Sequence, residues 1–266
     1  MILLGFDVEE FDLPLEYCKT LPFDEQLSVS TTGTLNILKI LAQTGIRATF
    51  YCTANYALNK PEIIKEIVEA GHEIASHGYY HSEFEISHLK ESKDLLETIS
   101  KAKVSGYRMA RMMPVNEAEI KNAGYTYNSS INPTFIPGRY NNFNKPRTWF
   151  FDQGVLQIPA SVSSVIRFPL FWLTFHTIPL PLIKFMASGA YKKDGYLNLY
   201  FHPWEFTDLN QAKYGLPGYI AKNSGDDFMN RLKDFIKWAQ MQGYQFGRTE
   251  DFANSIIQKQ KAPVKN

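Results

Sequence analysis

Short apolar runs alternate with amphipathic helical segments along almost the whole chain, and this alternation narrows the possible architectures. Ile2 to Val8 is an apolar run suited to a buried strand. After an irregular acidic and aromatic loop, Thr34 to Gln43 carries Leu35, Leu38, Ile40 and Leu41 at helical spacing. Ala48 to Cys52 predicts a second strand. The next helix has Asn59 as N-cap, Pro61 in its first turn, Ile63, Ile64, Ile67 and Val68 as its apolar face, and Gly71 as its stop. Glu73 to Ser76 predicts a third strand, Leu89 to Lys101 a helix and Ser105 to Ala110 a fourth strand. Asn116 with Glu119 reads as a capping arrangement for a short helix ended by Gly124. Thr126 to Ile131, Val155 to Pro159 and Leu197 to Phe201 are later strands, and Asp226 to Gln242 and Thr249 to Gln258 the last helices. Strands separated by helices imply a parallel sheet, which right-handed crossovers wind into an open sheet or close into a barrel.

In a barrel the working groups belong at the C-terminal ends of the strands. The chemically capable residues fall there: Asp7 and Glu9 end the first strand, His77 the third and Arg108 the fourth, and His202 follows Leu197 to Phe201. With 266 residues, 44% hydrophobic, the chain can bury one large core, and a single domain over residues 1–258 with a polar, frayed tail over 259–266 is expected. A net charge of +1 recommends neither nucleic acid nor an anionic membrane as partner. Cys18 and Cys52 form no CxxC pair and are too few for a disulfide scaffold. Met1 to Phe6 runs into acidic residues instead of a secretory apolar region, so a cytoplasmic location is expected. The apolar stretch Val162 to Ala190 is interrupted by Arg167, His176 and Lys184 and broken by Pro169, Pro179 and Pro181, which disfavours a spanning helix. Buried core or a homo-oligomer contact is the plainer reading of it, and a membrane-surface contact that meets a lipid-linked sugar the sharper one.

His77 and His81 stand four residues apart in Ala75-Ser76-His77-Gly78-Tyr79-Tyr80-His81. Two imidazoles at that spacing reach one ion from a helix face or from a turn leaving a strand, and Gly71 and Gly78 around the run favour the turn. In Gly5-Phe6-Asp7-Val8-Glu9-Glu10, strand alternation puts Asp7 and Glu9 on one side and Val8 and Glu10 on the other. Two acids side by side repel unless a cation or proton separates them, and a divalent ion held by Glu9, His77 and His81 would do so. The bland alternative is that Glu9, Glu10 and Asp12 form a solvated acidic loop.

Together these residues resemble the polysaccharide deacetylases, the NodB-homology carbohydrate esterases. The resemblance is carried by Phe6 to Glu9, Ala48 to Tyr51, Gly71 to His77 with His81, Gly106 to Arg108, Ala123 to Ser130, and Phe201 to Glu205. It implies a distorted (β/α) barrel, a divalent metal, zinc first, and removal of an N-acetyl or related acyl group from a sugar. By resemblance Asp7 is the catalytic base, Glu9, His77 and His81 the metal ligands, Arg108 the residue steadying the base, and His202 the acid. Val8 occupies the place of the usual metal-binding Asp, and Glu9 stands where a subset of the family has its acid. Met109-Ala110 replaces the common Ala-Pro, and Asn128 stands where Asp is frequent, which touches the substrate side of the site. Tyr79, Trp204 and Asn128 are the substrate-binding candidates; His72, His88 and His176 lack matching partners and read as structural.

The chemistry is coherent on its own terms. Amide hydrolysis needs a polarising cation, a hydroxide available at neutral pH and a proton for the departing amine. Three protein ligands leave a metal open for water and a carbonyl oxygen. Rival readings are a deformylase on a lipid-linked amino sugar, a metal-independent amide or ureide hydrolase of the same fold, and a non-catalytic carbohydrate-binding relic. A non-haem iron oxygenase fits the ligands but not the strand–helix alternation, and a glycosidase does not need the histidines.

Overall fold

The computed structural model describes residues 1–261. In chain order the elements are β1 Ile2–Val8, α1 Phe23–Thr44, β2 Thr49–Cys52, α2 Ala54–Asn59, α3 Pro61–Glu69, β3 Glu73–Ser76, α4 Ser87–Ser100 and β4 Gly106–Tyr107. Then come α5 Glu117–Asn122, β5 Tyr127–Asn128, β6 Phe135–Ile136, β7 Tyr140–Asn141, β8 Phe150–Asp152, β9 Val155–Gln157, α6 Trp172–Thr177 and α7 Leu180–Asp194. The chain closes with β10 Leu197–Phe201, α8 Gly218–Ala221, α9 Asp226–Met241, β11 Phe246–Gly247 and α10 Thr249–Lys261.

The main sheet runs β10-β1-β2-β3-β4-β5-β9-β8, with β11 also on β1, and every pairing is parallel except β8 with β9. Beyond β9 the chain swings back toward the other edge: the Ser161 N–H donates to the Asn198 carbonyl at 2.8 Å, and Asn198 Nδ2 donates to the carbonyls of Ile158 and Pro159 at 3.0 and 3.2 Å. These bonds curl the sheet into a distorted (β/α) barrel. Alternation along β1 divides its side chains between two cores. Ile2, Leu4, Phe6 and Val8 pack outward with Phe50, Ile74 and the helices, while Leu3 joins Tyr51, Ala75, Tyr127 and Leu156 on the inner side. At Gly5, on that inner side, an added Cβ would lie 2.8 Å from Arg108 Nη1. A bare backbone at this position lets the guanidinium cross the barrel.

Several boundaries differ from the sequence reading. α1 starts at Phe23 and not Thr34, because its first turns bury Ser30, Gly33 and Thr34 along with Leu27 and Val29. Such a small, partly polar face has no clean apolar period. Gly33 is there for close approach: a Cβ would meet the Pro203 carbonyl oxygen at 1.8 Å, so α1 lies directly on the turn that carries His202. Asn59 is not an N-cap but the last residue of α2, whose cap is Thr53, and Lys60 joins α2 to α3. Asn116 does cap α5, accepting from the Ala118 N–H. The strands expected over 105–110 and 126–131 shorten to two residues each, and past β4 the Met109 N–H donates to the Ser130 hydroxyl at 2.8 Å in place of a strand partner. The final helix continues to Lys261, past the expected start of the tail at 259; residues 262–266 lie outside the described part. The stretch 162–190 forms α6 and most of α7, with Phe175, Ile183, Ala187 and Ala190 in the core and Ile166 and Phe185 exposed. Among the described residues no helix is long and apolar enough to cross a membrane.

Candidate metal centre and active site

Glu9 follows β1, His77 follows β3, and Gly78, at φ +88°, turns the chain so that His81 comes back over the same barrel end. One ligand atom from each of the three residues lies within 4.8 Å of the others. His77 Nε2 and His81 Nε2 both approach Glu9 Oε2, at 3.2 and 3.0 Å. The far nitrogens explain why. His77 Nδ1 sits 2.9 Å from the Arg108 carbonyl, which only accepts, so this nitrogen carries a hydrogen. His81 Nδ1 lies 2.7 Å from Asp12 Oδ1 in the same manner. Both Nε2 atoms thus face a carboxylate oxygen, an approach that needs positive charge between them, either as protons on the imidazoles or as a bound cation. A divalent cation meets that demand, and one carboxylate with two imidazoles held by outer partners is a donor set suited to zinc.

Without an ion, a proton on His81 supplies that charge. Burial alone would raise Glu9, but the charge of His81 and hydrogen bonds from His77 and His81 hold its carboxyl well below the usual range. Burial alone would lower His81, yet Glu9 and Asp12 push it up to about 10. The solvated-loop alternative fails, since Glu9, Glu10 and Asp12 are all buried. Glu10 points the other way, as alternation requires, and accepts from Thr53 Oγ1 at 3.0 Å and from Asn55.

Beside this cluster Arg108 Nη1 donates to Asp7 Oδ1 at 2.6 Å. The arginine, with no exposed surface, is fixed by the Ser129 carbonyl and hydroxyl at 3.1 and 3.0 Å and lies 3.9 Å over the Tyr51 ring. His202 follows β10, which pairs with β1 in register Phe6 to Phe201 and so brings Asp7 and His202 to adjacent strand ends. Its Nδ1–H donates to Glu205 Oε1 at 2.9 Å, and its ring stacks on Trp204 with centroids 4.7 Å apart. Burial opposes its protonation, but the bond to Glu205 and the charges of Glu9 and Glu205 raise it above the ordinary histidine range. Trp204 Nε1–H in turn donates to Glu9 Oε1 at 3.3 Å. A cavity of about 210 Å³ joins Asp7, Glu9, His77, His81, His202 and Trp204, and its mouth is walled by Leu13, Tyr17, Trp172 and Leu173 with Arg111 and Arg139 at the rim.

Two substrate candidates fall outside this cavity. Tyr79 turns away to pack on Tyr80 and His88, at 4.7 and 5.5 Å between centroids. Asn128 is buried and fully engaged, donating to Glu117 and Gln157 and accepting from Ser130, so it braces β5. Residues not singled out from sequence are Asp12, which orients His81 and also takes Ser82 and Arg111, and Glu205, which holds His202. The spacing His202-Pro203-Trp204-Glu205, three residues apart at the start of a turn, is a capping-box signature that could have found the second. His72 accepts the Ala48 N–H at 3.2 Å and His88 the Glu85 N–H at 3.1 Å, both structural roles.

Residues 16–128 match the family model for polysaccharide deacetylase. A stretch of 69 residues, 26% of this chain, is 35% identical to a chitooligosaccharide deacetylase of Bradyrhizobium sp. (strain ANU 289), and the match spans about a third of that protein's length, 32%. Among solved structures, a Mycobacterium smegmatis protein assigned to the polysaccharide deacetylases superposes with a TM-score of 0.69 at 18% identity, over 98% of this chain and 91% of the other. PuuE allantoinase follows at 0.65 and 17%, over 95% and 88%. Identities this low speak for the fold alone. The chain thus shares the distorted (β/α) barrel of these structures, and over residues 16–128 it is similar to the polysaccharide deacetylases.

Proposed function

We propose that the protein is a metal-dependent hydrolase that removes an N-acetyl or related N-acyl group from a sugar or glycan precursor. The observation that carries this reading is the convergence of both imidazole Nε2 atoms on Glu9, in one cavity with an arginine-held aspartate and a carboxylate-held histidine. A divalent cation held by Glu9, His77 and His81, zinc first, would polarise the acyl carbonyl and make water more acidic. Asp7 accepts the proton given up by water, and Arg108 keeps it oriented toward the cavity. His202 donates a proton to the departing amine, without which the amine is a poor leaving group. Trp204 supplies an apolar wall beside the reacting group.

The test is to incubate the protein, reconstituted with zinc, with N-acetylated and N-formylated sugars, free, polymeric and lipid-linked, and to assay the acid released. Acetate release that disappears with chelator and returns with zinc is expected. Formate alone would move the reading to a deformylase. Turnover unaffected by chelation would favour a metal-independent amide or ureide hydrolase, a class brought in by the fold shared with the allantoinase. No acid from any member of the panel would leave a carbohydrate-binding relic.

A further inference from the structure

Behind His202 lies a second buried histidine that the proposed reaction does not use. His176, on α6, and Glu205 have no exposed side-chain surface. His176 Nε2 is 3.0 Å from Glu205 Oε2, while the other carboxylate oxygen, Oε1, accepts both the backbone N–H of His202 at 2.6 Å and its Nδ1–H at 2.9 Å. One carboxylate thus joins two imidazoles.

The hydrogen count is informative. His176 Nδ1 lies 3.0 Å from the Lys222 carbonyl, which can only accept, so that nitrogen carries a hydrogen. Its Nε2 then faces a carboxylate oxygen at hydrogen-bond distance, and two lone pairs do not approach so closely without a proton between them. Whether that proton rests on nitrogen or on oxygen, the His176–Glu205 unit is neutral as a whole. The ring is held in this pose by stacking on Phe228, 4.2 Å between centroids and 18° from parallel. Among the described residues, Glu205 is the one charged side chain hydrogen-bonded to His176. His202 has Glu205 beside it and the charges of Asp7 and Glu9 around it.

We propose that His176 is a positioning residue for His202: through the shared carboxylate of Glu205 it offsets the negative charge that His202 meets and so sets how readily His202 gives up its proton. Without His176, Glu205 would present a full, buried negative charge to His202, which would then hold its proton more tightly and be a weaker acid. The inference rests on the role given to His202 under the proposed function.

The test uses His176→Phe, which keeps a ring against Phe228 but brings no proton, and His176→Gln, which can still donate to Glu205 but brings no charge. In His176→Phe the alkaline limb of kcat/KM should move up by on the order of 1 pH unit, and hydrolysis of an N-acyl sugar should fall more than that of an activated ester. In His176→Gln the limb should move in the same direction by less. A limb that stays in place or moves down in a folded variant overturns the proposal, and His176→Gln decides it alone if His176→Phe does not fold. Titration of the His202 ring by nitrogen-15 NMR, in the unaltered protein and each variant, reads the same shift without turnover. If the protein hydrolyses nothing, the proposed function fails, but an upward shift of His202 still supports the coupling and an unchanged midpoint still refutes it.

Discussion

Replacing Arg108 by methionine leaves the Asp7 carboxylate in the barrel without its cation, and the cost can be worked from its surroundings. Both groups are buried and 2.6 Å apart. Removing one partner of such a pair costs roughly 3–5 kcal/mol, because the remaining charge is stranded in a poor solvent. Asp7→Asn is milder. Arg108 keeps the Ser129 carbonyl and hydroxyl and the Tyr51 face, and the amide oxygen can still accept, so about 1–3 kcal/mol is expected. The double variant strands neither charge. It should therefore cost less than the sum of the single variants by about 2 kcal/mol or more. Urea unfolding of all four proteins, with chelator present throughout, measures this coupling; chelator matters because an ion bound only by the folded state would add stability and offset the loose charge of Asp7. Additivity within about 0.5 kcal/mol would show that the two groups do not depend on one another and would refute the reasoning.

His77→Ala or His81→Ala should fold and lose stoichiometric metal, and metal analysis that finds either variant fully loaded would sink the ligand assignment. Asp12→Ala should keep all three ligands but lower metal affinity about 10- to 100-fold, read by chelator competition, because His81 loses the partner that orients it. Asp7→Asn should hold metal and turn over about 10²- to 10⁴-fold more slowly, whereas Glu9→Ala should lose the metal; metal-free Asp7→Asn beside fully loaded Glu9→Ala would reverse the two roles. Burial, with the charges of Arg47 and Arg248, pushes His72 down from 6.5 to about 4. Its contribution to stability is therefore complete above pH 6.5 and is lost as pH falls toward 4, since the unfolded chain takes up the proton first. His72→Asn keeps an acceptor for the Ala48 N–H and should flatten the urea midpoint over that window relative to the unaltered protein.

The parts of this fold that were readable from sequence are those governed by apolar period and by punctuation. β1, β3 and β10 appear with the expected ends, and Gly71, Gly78 and Gly124, all at positive φ, stop or turn the chain where expected. What was hidden depends on contacts between distant segments. The first half of α1 buries small residues against the turn at Pro203, a fit that has no hydrophobic period. β4 and β5 are brief, and the Ser129 that follows β5 holds the Arg108 side chain across the barrel. Asn128 and Tyr79 stand beside motif residues in sequence, yet the strand direction turns the first into the β5 network and the turn at Gly78 sends the second outward. Asp12 and Glu205 gain their roles only when the barrel brings them to His81 and His202. Their neighbours in sequence carry no sign of those partners beyond the spacing of Glu205 to His202.

The departure at Val8 follows from the same geometry. In the commoner pattern of the family that the sequence resembles, two acids stand side by side, but here β1 remains regular through Val8, paired with Cys52 of β2. Residue 8 therefore points away from Asp7, and Val8 is fully buried in the helix-facing core with Phe6, Phe50 and Cys52. An acid at that position would meet apolar side chains, not His77 and His81. Two residues after Asp7 the chain returns to the inner side, where Glu9 reaches both histidines and the Trp204 indole, with its own carbonyl held by the Ser30 hydroxyl at 2.5 Å. The family match begins at residue 16 and ends at 128, so it includes His77, His81 and Arg108 but neither Glu9 nor His202. Those two join the site through the parallel pairing of β1 with β10, which sets the first strand of the chain beside one of its last.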